Sequence, residues 1–431
     1  MSRRDTAPAA TPNPSRRGFL GRSAAAAALP VAAALAARPA SAGLAHHHPD
    51  KKGIEPFWGA HQAGITTPIQ RHTYFIAFDL VTTQRAEVVA LLKAWTEAAA
   101  QMTAGPAGFD PKADRQASSP ESGASVGIAP SRLTITFGFG PGLFEKDGQD
   151  RYGLAARRPE ALIDLPKFPG DQLVAERSGG DLSIQACADD PQVVETAVRR
   201  LAKLAGSVAV MRWAQMGFTG GFAEGETGRN QMGFKDGTLN VQTGDPEALR
   251  EFVWVGQEGP AWLRGGSYMV IRPIRIALDH WDDMKTAFQE QSVGRHKPSG
   301  APLGKAREHD ALDLERTDAE GNNLIPEESH AALSAPENND GAQILRRAFN
   351  YDNGIAKIAE RWPPWRQLVT FDAGLLFQCY QKDPRSGFVK LFAKMAVVDM
   401  LNQFTTHTGS ALFACPPGAQ PGEFIGQSLF G

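Results

Sequence analysis

The chain has 431 residues, 42% of them hydrophobic, with 45 Lys and Arg against 47 Asp and Glu and a formal net charge of −2. That size allows two or three domains with sizeable cores, and the near-neutral balance excludes the concentrated basic surface with which proteins grip nucleic acid. Cys187, Cys379 and Cys415 lie far apart and form no C-x-x-C pair, so neither a disulfide framework nor a zinc knuckle is expected, and all three read as buried small side chains.

Residues 1–42 read as an address rather than as part of the fold. Ser15-Arg16-Arg17-Gly18-Phe19-Leu20 places an aromatic residue and Leu just after paired arginines, an Ala-rich apolar run spans about 24–37, and Ala40-Ser41-Ala42 is a small-x-small cleavage site. That order is a twin-arginine (Tat) signal peptide. It predicts an already folded protein handed to the Tat export machinery and delivered to the periplasm or the cell exterior. No later stretch has the roughly 18 uninterrupted apolar residues of a membrane helix. An N-terminal extension, 43–66, opens with His46-His47-His48 and reads as an exposed tail.

From here the pattern predicts one unit used twice. His72–Leu80 is a strand by its β-branched and aromatic content, and 85–102 is a helix with Val88, Leu91, Leu92 and Trp95 on one face. Residues 103–130 form a long loop. Strands follow at 133–139, 182–188 and 208–213, with a helix at 191–205 opened by Asp189-Asp190. This is the β-α-β-β-α-β order of a ferredoxin-like unit. The second half predicts strands at 268–278, 344–351, 375–381 and 411–415, and helices at 281–291 and 388–404. Leu182-Ser183-Ile184-Gln185 leads to Asp190-Pro191 at the same offset at which Leu375-Leu376-Phe377-Gln378 leads to Asp383-Pro384. In that alignment Cys187 and Cys379 differ by one position and point to opposite faces. The expected fold is α+β, two ferredoxin-like halves with antiparallel sheets at 67–217 and 218–431. A ligand is expected in the crevice between them, lined by the long insertion 292–343.

Three stretches carry residues suited to chemistry. Gly233-Phe234-Lys235-Asp236-Gly237-Thr238 holds an acid between glycines, where backbone can approach a flat ligand and the acid can move protons; its plain alternative is a tight turn. Ile325-Pro326-Glu327-Glu328-Ser329-His330 offers a single imidazole, either a packed side chain or a metal ligand. Ile344-Leu345-Arg346-Arg347 sets two arginines in an apolar strand, so one faces inward and needs an anion, a structural carboxylate being the plain choice.

Together and in this order, these stretches resemble the dye-decolourising (DyP-type) haem peroxidase family, and within it the Tat-exported peroxidase/deferrochelatase (EfeB-like) branch. The resemblance runs from Pro56-Phe57-Trp58-Gly59 and His61-Gln62-Ala63-Gly64-Ile65 through the Asp236 stretch and Gly265-Gly266-Ser267-Tyr268. It continues with Gly294-Arg295, Glu308-His309-Asp310 and the Arg346 stretch, and ends on Gly409-Ser410-Ala411-Leu412-Phe413. It implies a haem b peroxidase, one haem per chain in the C-terminal half, acting on hydrogen peroxide and a small organic reductant. By position, His330 is the iron ligand on the proximal side, Asp236 the distal acid/base, Arg346 the distal arginine and Arg295 a propionate contact. Gly237, Thr238 and Leu239 touch the haem through backbone, and Ala335, Pro336 and Glu337 border it. Asp399 is the candidate hydrogen-bond partner of His330. Ala332 stands where the family often has Arg, and Ala348 where some members have Asn, leaving Asp236 and Arg346 to work without an amide. Trp362, Trp365 and Tyr351 are candidates for carrying electrons outward, with plain packing the competing reading. The branch adds components of iron uptake as partners, and a second copy of the chain is a further candidate partner. Competing readings are a deferrochelatase that releases iron from intact haem, a non-catalytic haem or iron carrier, and a metal enzyme built on His309, Asp310 and His46–His48.

Overall fold

The computed structural model describes residues 53–105, 128–222, 226–362 and 365–431, with backbone alone for 359–362 and 365–368. The predicted leader, the start of the extension with His46–His48, and the side chains of Trp362 and Trp365 lie outside the described residues.

Ten strands are described: β1 His72–Leu80, β2 Thr134–Phe139, β3 Leu182–Ala188, β4 Ala209–Phe218, β5 Ser267–Ile276, β6 Leu345–Arg346, β7 Phe349–Trp362, β8 Trp365–Gln381, β9 Thr405–His407 and β10 Ala411–Cys415. In space the first half runs β4-β1-β3-β2 and the second β7-β8-β5-β10, all antiparallel. With the short β6 and β9 left out, counting strands within each half gives one order used twice, 4-1-3-2 read from opposite ends, as the ferredoxin-like repeat requires.

The two sheets close into a ring through single residue pairs, Phe218↔Asn350 between β4 and β7 and Ala414↔Phe139 between β10 and β2. Gln62 reinforces the second seam from the extension. Its amide donates to Phe137 O at 3.0 Å and Pro416 O at 2.9 Å, and its oxygen accepts from Phe137 N at 2.8 Å. A carboxamide carries the same donor and acceptor as a peptide group, so it can stand in for a missing strand.

The ring interior is packed with Phe75, Trp213, Ile271, Tyr380 and Phe413. The glutamines paired by the sequence repeat meet there: Gln185 Nε2 donates to Gln378 Oε1 at 2.7 Å. Cys187 faces this interior, bonded to Thr73, while Cys379 packs in the cluster on the other side of the sheet. All three cysteines are free and buried.

Outside the ring, the first half is covered by the helices Arg85–Ala104 and Pro191–Ala205. The second begins as predicted, with Asp190 accepting from the amides of Gln192 and Val193 ahead of Pro191. The connection after β5, which corresponds to the first helix, is different. It holds only the short helices Leu278–Asp282 and Thr286–Val293 before a long irregular stretch. The outer face of β5 and β8 is therefore left open where its counterpart is covered.

Several predicted elements change shape. The strand predicted at 344–351 is interrupted after Arg346, and β7 and β8 run on into a long hairpin. Around Asp352-Asn353-Gly354, β7 carries an irregularity, with register shifts on both sides of Ile355 and Gly354 at φ +86°. The helix predicted at 388–404 stops at Val398 because Asp399 is extended, at ψ 125°. Gly374 is required by close approach: a Cβ there would lie 2.0 Å from Ile274 O on the neighbouring β5.

The halves are also joined by a buried ion pair. Arg272 on β5 bonds Asp171 from the first half, with side chains 0% and 1% exposed. The rings of Phe168, Phe388 and Phe392 enclose the guanidinium at 5.1–5.9 Å. Removing one partner of such a pair strands the other charge. Asp171→Ala is therefore expected to cost about 3–5 kcal/mol, read as a lower urea midpoint with an unchanged slope.

Candidate active site

A cavity of about 230 Å³ opens on the outer face of β5 and β8, far larger than the roughly 10–15 Å³ one water needs on the same measure. Its walls are apolar on the sheet side, with Ile274, Ile276, Leu375 and Phe377, and on the side of the helix Lys390–Val398, with Phe392 and Met395. Every lining residue lies between Asn230 and His407. The cavity thus belongs to the second half alone, and the expected crevice between the halves is not where it lies. The cause is topological: the 292–343 insertion replaces a covering helix, so the hollow forms over the sheet's outer face.

The cavity brings together residues far apart in sequence. Asp236 sits in a loop shaped by Gly233 at φ +85° and Gly237 at φ +123°, conformations that side chains other than glycine rarely adopt. Arg346 reaches the same space from β6, and its Nη1 lies 2.6 Å from Asp236 Oδ1. Strand alternation sends Arg347 the other way, to Thr67 O and Gln70. His330 opens the short helix His330–Ser334, which Ser329 caps.

His330 Nδ1 is 2.7 Å from Asp399 Oδ2. Asp399 is held in turn by Leu401 N, which donates to its other oxygen at 2.9 Å. With Nδ1 engaged, Nε2 is the ring nitrogen left for a metal. Burial disfavours the imidazolium, but the Asp399 carboxylate more than offsets it and holds the His330 pKa above its ordinary value. His407, also on the wall, goes the other way: burial, reinforced by the Arg272 charge, pushes it well below the usual range and keeps it neutral.

Gly237, Thr238, Leu239, Arg295 and Pro336 line the cavity as well. Ala335 and Glu337 do not. Ala335 is buried in the turn behind the wall, and Glu337 is exposed at the surface. Tyr351 is buried within the ring rather than at the cavity. His309 and Asp310 assemble no metal site: Asp310 bonds Arg307, and no cluster of three His, Cys, Asp or Glu suited to a metal occurs among the described residues.

Three residues were missed in the sequence. Asn230 lines the cavity and donates to Asp236 Oδ2 at 3.4 Å, so an amide does stand at the acid despite Ala348; it comes from six residues before Asp236. Glu308 accepts from Thr238 Oγ1 at 3.0 Å and pairs with Lys235, gripping the loop on both sides of Asp236. Its burial is outweighed by the bonds from Lys235, Thr227 and Thr238, which hold its pKa below the usual value. Asn240 binds the backbone of Arg346. Glu308 entered the resemblance only as part of a matching stretch, and Asn240 has its partner 106 positions away.

The family model of the Dyp-type peroxidase N-terminal domain matches residues 62–219, and that of the C-terminal domain matches 227–420. This chain belongs to the Dyp-type peroxidase family. The Dye-decolorizing peroxidase of Thermobifida fusca is 37% identical over 86% of the chain and 84% of its own length. The Deferrochelatase of Escherichia coli K12 is 33% identical over 96% and 97%. Among solved structures, ferric DtpA from Streptomyces lividans matches 88% of this peroxidase and 98% of its own chain with a TM-score of 0.79 at 40% identity. The DyP-type peroxidase from Cellulomonas bogoriensis matches 87% and 98% with a TM-score of 0.75 at 38% identity.

The cofactor of this family is haem, and the cavity residues of this Dyp-type peroxidase fit one. Arg295 is 6% exposed and gives Nη1 to Gly300 O and Glu308 O, while its buried Nη2 has no protein partner among the described residues. A buried guanidinium nitrogen left over at an apolar cavity suits a carboxylate of the ligand. Apolar walls for a flat macrocycle and a carboxylate-oriented imidazole for its iron complete the match.

Proposed function

We propose that this Dyp-type peroxidase is a haem enzyme in which His330 would hold the iron while Asp236 and Arg346 act on hydrogen peroxide. The observation that carries this reading is the Arg346–Asp236 contact at 2.6 Å in the same cavity as the Asp399-oriented His330. Haem, when bound, supplies the iron at which peroxide is reduced and passes the oxidising equivalents to donors one electron at a time. Asp236 takes a proton from one peroxide oxygen and delivers it to the leaving oxygen, a task one carboxylate performs alone if both oxygens come within its reach. Arg346 offsets negative charge on the departing oxygen. Arg295 anchors a propionate, and Asp399 makes His330 a stronger donor to iron.

A second reading concerns the same cavity. Relatives covering 96% of the chain carry the name Deferrochelatase, which makes release of iron from intact haem, in the service of iron uptake, the rival use. One experiment addresses both. The purified chain is loaded with haem and given peroxide with an organic dye, or left with haem alone. The expected result is dye oxidation dependent on peroxide; metal-free porphyrin fluorescence without dye oxidation overturns it in favour of the rival. For location we infer export by the twin-arginine route to the periplasm or beyond, from the Ser15–Leu20 motif and the cleavage site after it. No helix among the described residues is long and apolar enough to cross a membrane.

A further inference from the structure

Asp236 and Arg346 come from segments 110 residues apart, and one side chain binds both segments together. Asn240 Nδ2 donates to Arg346 O at 2.7 Å, and Asn240 Oδ1 accepts from Arg346 N at 2.8 Å. Asn240 also closes the turn that follows Asp236, its own amide donating to Gly237 O at 3.1 Å. The Asp236 loop thus grips Arg346 twice, by a carboxylate on its guanidinium and by a carboxamide on its main chain.

The backbone explains why a carboxamide is needed. Arg346 lies opposite Cys379 in the β6–β8 ladder, and the next ladder bond runs from Arg347 N to Gln378 O. Both polar groups of Arg346 itself turn away from β8, as in a non-hydrogen-bonded antiparallel pair. Without Asn240 they would face the partly buried edge of a two-residue strand with no partner. A side-chain amide supplies one donor and one acceptor at peptide-like spacing, whereas Asp lacks the donor and Leu lacks both.

We propose that Asn240 is a positioning residue that sets the direction of Arg346 towards Asp236 by acting as the missing neighbour of β6. It touches Arg346 only through backbone and acts on the reaction only through Arg346. The inference rests on the distal roles proposed above. A displacement of about 1 Å at a reacting group lowers rates by about 100-fold, so the loss expected for Asn240→Ala is about 10- to 100-fold in the rate with hydrogen peroxide.

The test has two arms. The first is a crystal structure of haem-free Asn240→Ala, which reads position without turnover. Loss of the Arg346–Asp236 ion pair is expected, and its retention at the same distance overturns the proposal. The second is a double-mutant cycle on the haem-loaded protein, following the peroxide step with Asn240→Ala, Arg346→Leu and both. If Asn240 works through Arg346, adding Asn240→Ala to Arg346→Leu changes the rate by no more than about twofold. Losses that multiply assign Asn240 a general structural role and overturn the proposal, as does an unchanged rate in Asn240→Ala alone. If Arg346→Leu itself keeps full rate, the distal reading fails, and the haem-free structure still decides the position of Arg346. Should Asn240→Ala not fold, Asn240→Asp serves: it keeps the acceptor for Arg346 N, loses the donor, and is expected to fall between wild type and Arg346→Leu.

Discussion

Asp236→Asn is expected to slow the reaction with hydrogen peroxide by about 10²- to 10⁴-fold, the usual contribution of a positioned acid/base. The substitution keeps size and shape, so the loop between Gly233 and Gly237 is not forced to move, although the single amide oxygen can accept from only one of Asn230 and Arg346. What disappears is the proton acceptor and the charge facing Arg346 Nη1. Arg346→Leu removes the other member and is expected to cost about 10²- to 10³-fold. Because the two side chains are in contact, the double variant is expected to lose less than the product of the single losses. Stopped-flow mixing of the haem-loaded variants with peroxide reads the effect directly. Full turnover in Asp236→Asn removes the acid/base assignment.

His330→Ala is expected to remove the protein's bond to iron while leaving the porphyrin's apolar bed in place. Ile274, Leu375, Phe377 and Phe392 still offer their faces, and Arg295 its unpartnered nitrogen. Affinity for haem and affinity for metal-free protoporphyrin should therefore separate. Wild type is expected to prefer haem strongly, and His330→Ala to bind the two about equally. Asp399→Asn, which removes the carboxylate orienting the ring, is expected to weaken haem retention by about 10- to 100-fold. Competition binding measured by tryptophan quenching checks both. Equal loss of both porphyrins in His330→Ala would mean that the imidazole supports the cavity wall and not the metal.

How much of this was legible in the sequence depended on the range of the interaction. Local signals were read well. Asp190 before Pro191 placed a helix start, alternation separated Arg346 from Arg347, and the Leu182/Leu375 repeat aligned two strands whose glutamines meet inside the ring. Residues whose meaning is set by distant partners stayed hidden. Asn240 and Glu308 look like ordinary loop polar residues until β6 and the insertion fold against them. The cavity was misplaced for a related reason. Composition marked 292–343 as a long insertion but did not say which face of the sheet it leaves open. Of Ala335-Pro336-Glu337 only Pro336 lines the cavity, since a tight helical turn sends neighbouring side chains in different directions.

The central claim is that this cavity holds one haem through His330. It is tested most directly by titrating haem into the purified wild-type chain and its variants while recording the Soret band. The account predicts saturation at one haem per chain with a sharp Soret band, retained in Asp236→Asn and lost or strongly shifted in His330→Ala. A wild-type chain that takes up no stoichiometric haem, or a His330→Ala spectrum identical to wild type, contradicts it.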